Sequence, residues 1–363
     1  MKVLFINIIH PVEKTETGGT FINKRNCNLM KDIYGENNLI IYNMIYYKNP
    51  IQTLRNTIFC RAGGYKKSDL KSILTLIHNN NISIVFIGFS NAATLARDLK
   101  KKCSDIKIMT FCHNNEYTFL KQSLKSFSFI KRIFYLFNVH ATYISEKNAC
   151  KYSDILITIN KRDSSDFEKI YNRKADYVIP ISFVDKFNIS KSKTLCSNDS
   201  YLLFVGSNFF GNTEGVFWFI ENCMSEIKYK LIVVGSGMDI YKNKYPDKNV
   251  EFLGYVEDLS EYYYKASAVV LPILSGSGMK TKTCEGLMYG KTIFGSKEAF
   301  EGYNCEYDKV GKLCSSKEDF IQAINSFEKK SFNEYSRYIY LNNYDTKFIT
   351  EQFKTFLKAK NFL

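Results

Sequence analysis

Short apolar runs, each closed by a turn residue, alternate along this chain with longer stretches whose apolar residues recur at helical spacing. Apolar runs of roughly four to eight residues mark strands buried on both faces, and their alternation with amphipathic helices marks βα units around a parallel sheet. Two such series are present. The first predicts strands at Val3–Ile8, Asn38–Tyr42, Ile84–Gly88, Ile106–Phe111, Ile155–Ile159 and Tyr177–Ile179, with helices at Asp69–Asn79, Ala93–Lys102 and Asp163–Tyr171. The second begins near Tyr201, where Leu202–Val205 runs into Gly206 and a helix over Glu214–Asn222 follows. Lys230–Gly235, Val250–Leu253, Ala268–Leu271 and Thr292–Phe294 supply its further strands, with helices near Leu259–Lys265 and Thr281–Tyr289.

The fold class is therefore α/β, built as two Rossmann-like domains. The first spans residues 1–183 and the second 201–345, joined by a polar linker over 184–200 that is rich in Ser, Lys, Asn and Asp. A last helix over Thr346–Lys358, within 346–363, is a candidate to pack back on the first domain. Ligands of open α/β sheets collect at the carboxyl ends of the strands, so two such domains facing a central cleft suit an enzyme of two substrates. The architecture does not choose the reaction.

Composition narrows the class. With 363 residues, 45% hydrophobic content, 29 Phe, 26 Tyr and only 5 Pro, the chain is a globular protein of about two domains. Its longest apolar stretches, Ile82–Phe89 and Ala266–Leu274, fall short of the roughly 20 residues a membrane span needs. The start, Met1–Asn7, reads as a first strand with no signal-peptide cleavage site, so the expected location is cytoplasmic. The 10 cysteines are scattered without a CxxC pair and the 4 histidines without helical pairing, so reduced thiols and no metal site are expected. A net charge of +14 favours polyanionic partners or simply a soluble surface, and no nucleic-acid motif accompanies it.

The most informative stretch runs from Pro272 to Gly290: a strand end, a Gly-rich loop and a helix. Gly276 and Gly278 let backbone N–H groups approach an anion, and the helix start beyond them adds partial positive charge. Lys280 and Lys282 place two ammonium groups at that turn, suited to the charge that grows on a departing diphosphate. Glu285, three residues after Lys282, is suited to accept hydrogen bonds from a vicinal diol such as a ribose. The other reading of these residues is an ordinary i,i+3 ion pair beside a plain turn.

These segments resemble, in order and over most of the chain, the retaining GT-B glycosyltransferases of family four (glycosyl transferases group 1). Leu203–Ser207 with Asn212–Trp218, Leu231–Gly237, Val250–Leu259, Tyr262–Pro272, Gly276–Glu285 and Gly290–Phe294 are similar to successive parts of that family's C-terminal domain. The resemblance implies the GT-B fold, with Lys280 and Lys282 on the donor diphosphate, Glu285 on the ribose, and Gly206, Ser207, Gly276, Ser277, Gly278 and Met279 lining the donor site. It departs from the family at Ser277, where a Glu is usual, and at Gly206-Ser207-Asn208, which lacks the usual basic residue.

In the N-terminal half, Gly18-Gly19 resembles the family's glycine loop near the donor phosphates, with a plain flexible loop as the alternative. The loop Phe111–Glu116 resembles its His-containing loop, which makes His113 a donor-sugar contact and assigns weaker roles to Asn114 and Glu116. Glu146 and Asp154 match a family pattern in a structural role. The resemblance further implies a UDP- or GDP-sugar donor, retention of configuration and no obligatory metal or other cofactor. The expected acceptor is a glycan or lipid-linked molecule, as in surface polysaccharide or glycolipid synthesis.

Residues 119–143 interleave aromatic and aliphatic residues with Lys121, Lys125, Lys131 and Arg132. They read either as a face lying peripherally on an anionic membrane or as a core helix with a solvated Lys face. Two other functions use the same fold: a non-catalytic, membrane-associated binding protein and a nucleotide-sugar epimerase, the latter needing carboxylates placed for proton transfer.

Overall fold

The computed structural model describes residues 1–9, 18–45, 57–62, 65–124, 128–195, 201–276, 278–328 and 332–363. Ser277, part of the 119–143 segment and part of the 184–200 segment lie outside the described residues.

The first sheet holds six strands, β1 (Lys2–Ile9), β2 (Leu39–Ile45), β3 (Ile82–Ile87), β4 (Lys107–Cys112), β5 (Ile155–Thr158) and β6 (Tyr177–Val178). All pair parallel in the order β2-β1-β3-β4-β5-β6. The apolar runs that announce these strands are what a sheet covered on both faces requires. Leu4 and Ile6 of β1 and Val85 and Ile87 of β3 enter one core with Ile73 and Ile77 of the helix Lys67–Asn80 and Leu95 and Leu99 of the helix Thr94–Lys102. The Phe5 and Phe86 rings stack at 5.0 Å across β1 and β3.

The second sheet has β7 (Tyr201–Val205), β8 (Lys230–Val234), β9 (Val250–Leu253), β10 (Ala268–Leu271), β11 (Thr292–Gly295) and β12 (Gly311–Leu313). They are parallel in the order β12-β11-β10-β7-β8-β9. From β7 the chain steps to β8 on one side, yet β10 lies on the other. The junction of β7 and β10 is therefore the topological switch point, where the loops leaving two adjacent strands diverge and open a crevice.

The chain forms two compact units, Met1–Pro180 with Thr350–Leu363, and Ile181–Ile349. The stretch read as a linker includes a helix, Ile189–Leu195, and the residues before it are tied into the second unit. Arg337 binds Asp185 through both carboxylate oxygens and donates to the Met288 carbonyl at 2.7 Å, and the Asn188 amide donates to Tyr264 Oη at 2.7 Å. At the other end, the helix Thr346–Ala359 carries the chain back to the first unit. There Phe356 packs on Tyr177 at 4.5 Å, Lys107 Nζ donates to the Asn361 carbonyl at 2.6 Å, and Tyr34 Oη donates to that of Phe362 at 3.0 Å.

Candidate functional site

Every strand of the second sheet ends at the same edge, and the two loops at the switch point follow β7 and β10. Gly215 lets them close up. A Cβ there would stand 1.9 Å from the Pro272 carbonyl oxygen, so the helix Phe210–Asn222 lies directly on the chain leaving β10. Ser275 Oγ donates to Glu214 Oε2 at 2.9 Å and ties the Gly-rich loop to the same helix.

The loop turns through Gly278 at φ +63°, a left-handed conformation that L side chains rarely adopt, and enters the helix Thr281–Met288. Lys280 occupies the N-cap position without a side-chain capping hydrogen bond, so the first amides of this helix have no such cap. The helix start is fixed from behind: Tyr303 Oη donates to the Lys280 carbonyl and Thr283 Oγ1 to the Ala299 carbonyl, both at 2.6 Å.

The two lysines are held differently. Lys280 Nζ pairs with Glu298 Oε1 at 2.8 Å and donates to the Gly278 carbonyl at 3.1 Å. A Cβ on Gly276 would come within 3.1 Å of that ammonium. Lys282 is buried, donates to Asn212 Oδ1, and lies 5.1 Å from the Phe204 ring centroid. Asn212 Nδ2 in turn donates to the Ser207 carbonyl at 2.9 Å, so one side chain straps the loop after β7 to the lysine after β10. Burial pushes the Lys282 ammonium down to about 7, helped by the charge of Lys280 and opposed by Glu285. An anion arriving here would relieve both destabilising effects on the ammonium.

Glu285 sits one turn along the helix and accepts from Tyr263 Oη at 3.4 Å, with the Tyr263 ring stacked on Tyr289 at 4.7 Å. Burial raises its carboxyl to about 7, against the Tyr263 hydrogen bond and the charges of Lys186 and Lys282. The chain thus gathers Gly206, Ser207, Gly276, Gly278, Met279, Lys280, Lys282 and Glu285 at one switch point. Asn212 and Glu298, which complete the contacts of the two lysines, are absent from the residues singled out in the sequence. Asn212 had one signal, its place in the first turn of the helix after a strand–Gly turn. Glu298 had none, because its role depends on a loop folding back from 18 residues further along.

In the first unit, Gly18 and Gly19 are the first two residues of the helix Gly18–Tyr34 rather than a loop. His113 follows β4 and is buried, stacked on Phe89 at 4.5 Å and edge-on to Phe111 at 5.0 Å. Among the described residues, neither ring nitrogen has a hydrogen-bond partner of good geometry. Burial, reinforced by the charge of Arg25 and opposed by the Gly19 backbone, lowers the ring to about 3. His113 is therefore a neutral imidazole at any ordinary pH, able to donate one hydrogen bond and accept another but not to act as an imidazolium acid.

Asn114 and Glu116 bond to each other at 3.1 Å. Glu146 is fully buried and accepts from the amides of Glu116 (2.9 Å) and Tyr117 (3.2 Å), Ser90 Oγ (3.1 Å) and Tyr171 Oη (2.7 Å). It pins the start of the helix Glu116–Ser123, and with it the loop carrying His113. Asp154 accepts from the Ile108 amide at 2.7 Å and pairs with Lys100 at 2.9 Å, fixing the entry to β5.

This fold is that of the GT-B glycosyltransferases. Anabaena HepE, solved in complex with UDP, superposes with a TM-score of 0.69 at 12% identity, over 99% of this chain and 100% of that one. Sucrose-phosphate synthase from Thermosynechococcus elongatus gives 0.71 at 11% identity, over 99% of both chains. A glycosyltransferase from Rickettsia africae gives 0.65 at 14%, over 99% of this chain and 98% of that one. In sequence, the family model for Glycosyl transferases group 1 matches residues 199–328, the part of the chain that builds the switch-point site. No curated protein matches the sequence.

Proposed function

We propose that the chain is a retaining, hexosyltransferase-type glycosyltransferase that moves a sugar from a UDP- or GDP-sugar to a glycan or lipid-linked acceptor. The observation that carries this reading is the constellation at the β7–β10 switch point: a buried ammonium, a second ammonium beside a Gly-rich turn, an N-cap without a side-chain cap and a carboxylate one turn on. The sequence match over the same residues and the UDP seen in HepE support it.

In this reading the helix start and Lys282 receive the diphosphate, and Lys280 exchanges Glu298 for it as charge grows on the leaving group. Glu285, as a carboxylate, accepts from the ribose diol. His113 contributes a hydrogen bond to the sugar rather than a proton, as its neutral ring requires. The nucleotide departs with electrostatic help from these residues, and the acceptor hydroxyl attacks from the same face, which preserves configuration. The acceptor class is that of surface polysaccharide or glycolipid synthesis, and the donor chemistry needs no obligatory metal.

A thermal-shift screen against UDP, GDP, ADP and their common sugars tests the donor assignment. A ligand at 100 times its dissociation constant stabilises the native state by about 2.7 kcal/mol. The expected result is a rise in Tm with uridine or guanosine diphosphates that disappears in Glu285→Ala. A shift with none of them, or one that Glu285→Ala leaves intact, overturns the assignment.

A further inference from the structure

The segment 119–143, open to two readings in sequence, forms parts of two helices, Glu116–Ser123 and Phe129–Tyr152. The second half of the long helix is core: Ala141, Thr142, Ser145, Glu146 and Ala149 are buried. Its first turns carry exposed apolar residues. Phe129 is 76% exposed, Ile133 45%, Leu136 51% and Phe137 57%, and their i, i+4, i+7, i+8 spacing puts them on one helix face about 12 Å long. Large apolar side chains exposed as a contiguous stripe, unlike single ones, mark a surface that meets something.

The charge of the sequence that carries the stripe identifies what it meets. Between Glu116 and Glu146 the sequence has no acidic residue and four cations, Lys121, Lys125, Lys131 and Arg132. The two flanking carboxylates are engaged, Glu146 with its buried partners and Glu116 with Asn114. Arg132 Nε donates to the Leu124 carbonyl at 3.1 Å, which ties the start of the long helix to the end of the preceding one. A second copy of the chain docking on this face would set like charges against each other across a two-fold axis. An anionic lipid surface would receive the cations at its headgroups and the stripe at the acyl boundary. No helix among the described residues is long and apolar enough to cross a membrane.

We infer that the face formed by Phe129, Ile133, Leu136 and Phe137, together with the exposed cations Lys121 and Arg132, is a docking surface for anionic lipid bilayers. This goes beyond the donor-site reading and does not depend on it. Flotation of the full chain with vesicles of phosphatidylcholine alone, and of phosphatidylcholine with phosphatidylglycerol at about 7:3, tests it. The expected result is at least tenfold stronger partitioning to the anionic vesicles. Phe129→Ser/Leu136→Ser/Phe137→Ser and, separately, Lys121→Glu/Lys131→Glu should each weaken that partitioning about tenfold, with Tm unchanged. The nucleotide-induced thermal shift should persist in both variants, which separates failure here from failure of the donor assignment. Equal binding to both vesicle types, no binding, or binding that survives the triple substitution overturns the inference. So does a wild-type dimer in sedimentation velocity that the triple substitution dissociates.

Discussion

Lys282 is a cation held where a cation is costly. Its folded value of about 7 lies below the ordinary 10.5, so between these pH values the unfolded chain holds more protons at this residue than the folded chain does. Stability contributed at this position therefore rises with pH from about 7 towards 10.5. Lys282→Met keeps the apolar stem against Phe204 and removes the charge. Its Tm at pH 7 should rise by about 2 °C or more while UDP or GDP binding falls at least tenfold, both read in one thermal-shift series. A variant that loses stability together with binding would mean the lysine holds the fold rather than a ligand.

Glu285 behaves in the opposite sense, its folded value of about 7 lying above the usual 4.5. In the proposed donor site, nucleotide binding needs Lys282 protonated and Glu285 ionised, so affinity measured by calorimetry should peak near neutral pH and fall on both sides. The clustering of Gly276, Gly278, Lys280, Lys282 and Glu285 at one loop and helix start was legible from sequence. Their pairings were not. That Lys282 is buried on Asn212 and Lys280 is bound to Glu298 follows from chain segments 70 and 18 residues away.

At the scale of elements, Glu146 couples the long helix to the loop after β4. Its carboxyl is raised to about 7, chiefly by burial, against hydrogen bonds from Tyr171, Glu116 and Tyr117. The folded state thus holds the proton more tightly than the unfolded one, and this residue's contribution to stability is full below about 4.5 and is lost as pH rises through 7. Glu146→Gln should flatten the fall of Tm over that window, and Glu146→Ala should destabilise by about 2–4 kcal/mol in urea unfolding, leaving buried amides unpaired.

The central strands were readable because burial on both faces writes them as uninterrupted apolar runs. The helix Phe129–Tyr152 was not, because one half faces solvent with apolar residues and the other faces the core, so no single 3.6-residue period runs through it. β12, three residues long, is too short to carry a pattern. Gly18 and Gly19 look like loop residues on propensity alone, and their helix forms against β1, where Asn23 Nδ2 bonds to Asn7 Oδ1.

For the whole molecule, the sequence indicated two α/β domains and the GT-B class, and the strand order supplies what periodicity alone lacks: the switch point that brings the loops after β7 and β10 together. The proposed donor chemistry falls in Ile181–Ile349, and the candidate lipid-facing surface lies in the unit that contains β1–β6. The central claim is transfer from a nucleotide sugar at that switch point. Its most direct test is ³¹P NMR detection of nucleoside diphosphate released from a panel of UDP- and GDP-sugars by the full chain, with Lys282→Met in parallel. The account expects release from one nucleotide class, slowed about a hundredfold or more by the substitution. No release from any donor, or release at the same rate by Lys282→Met, would contradict it.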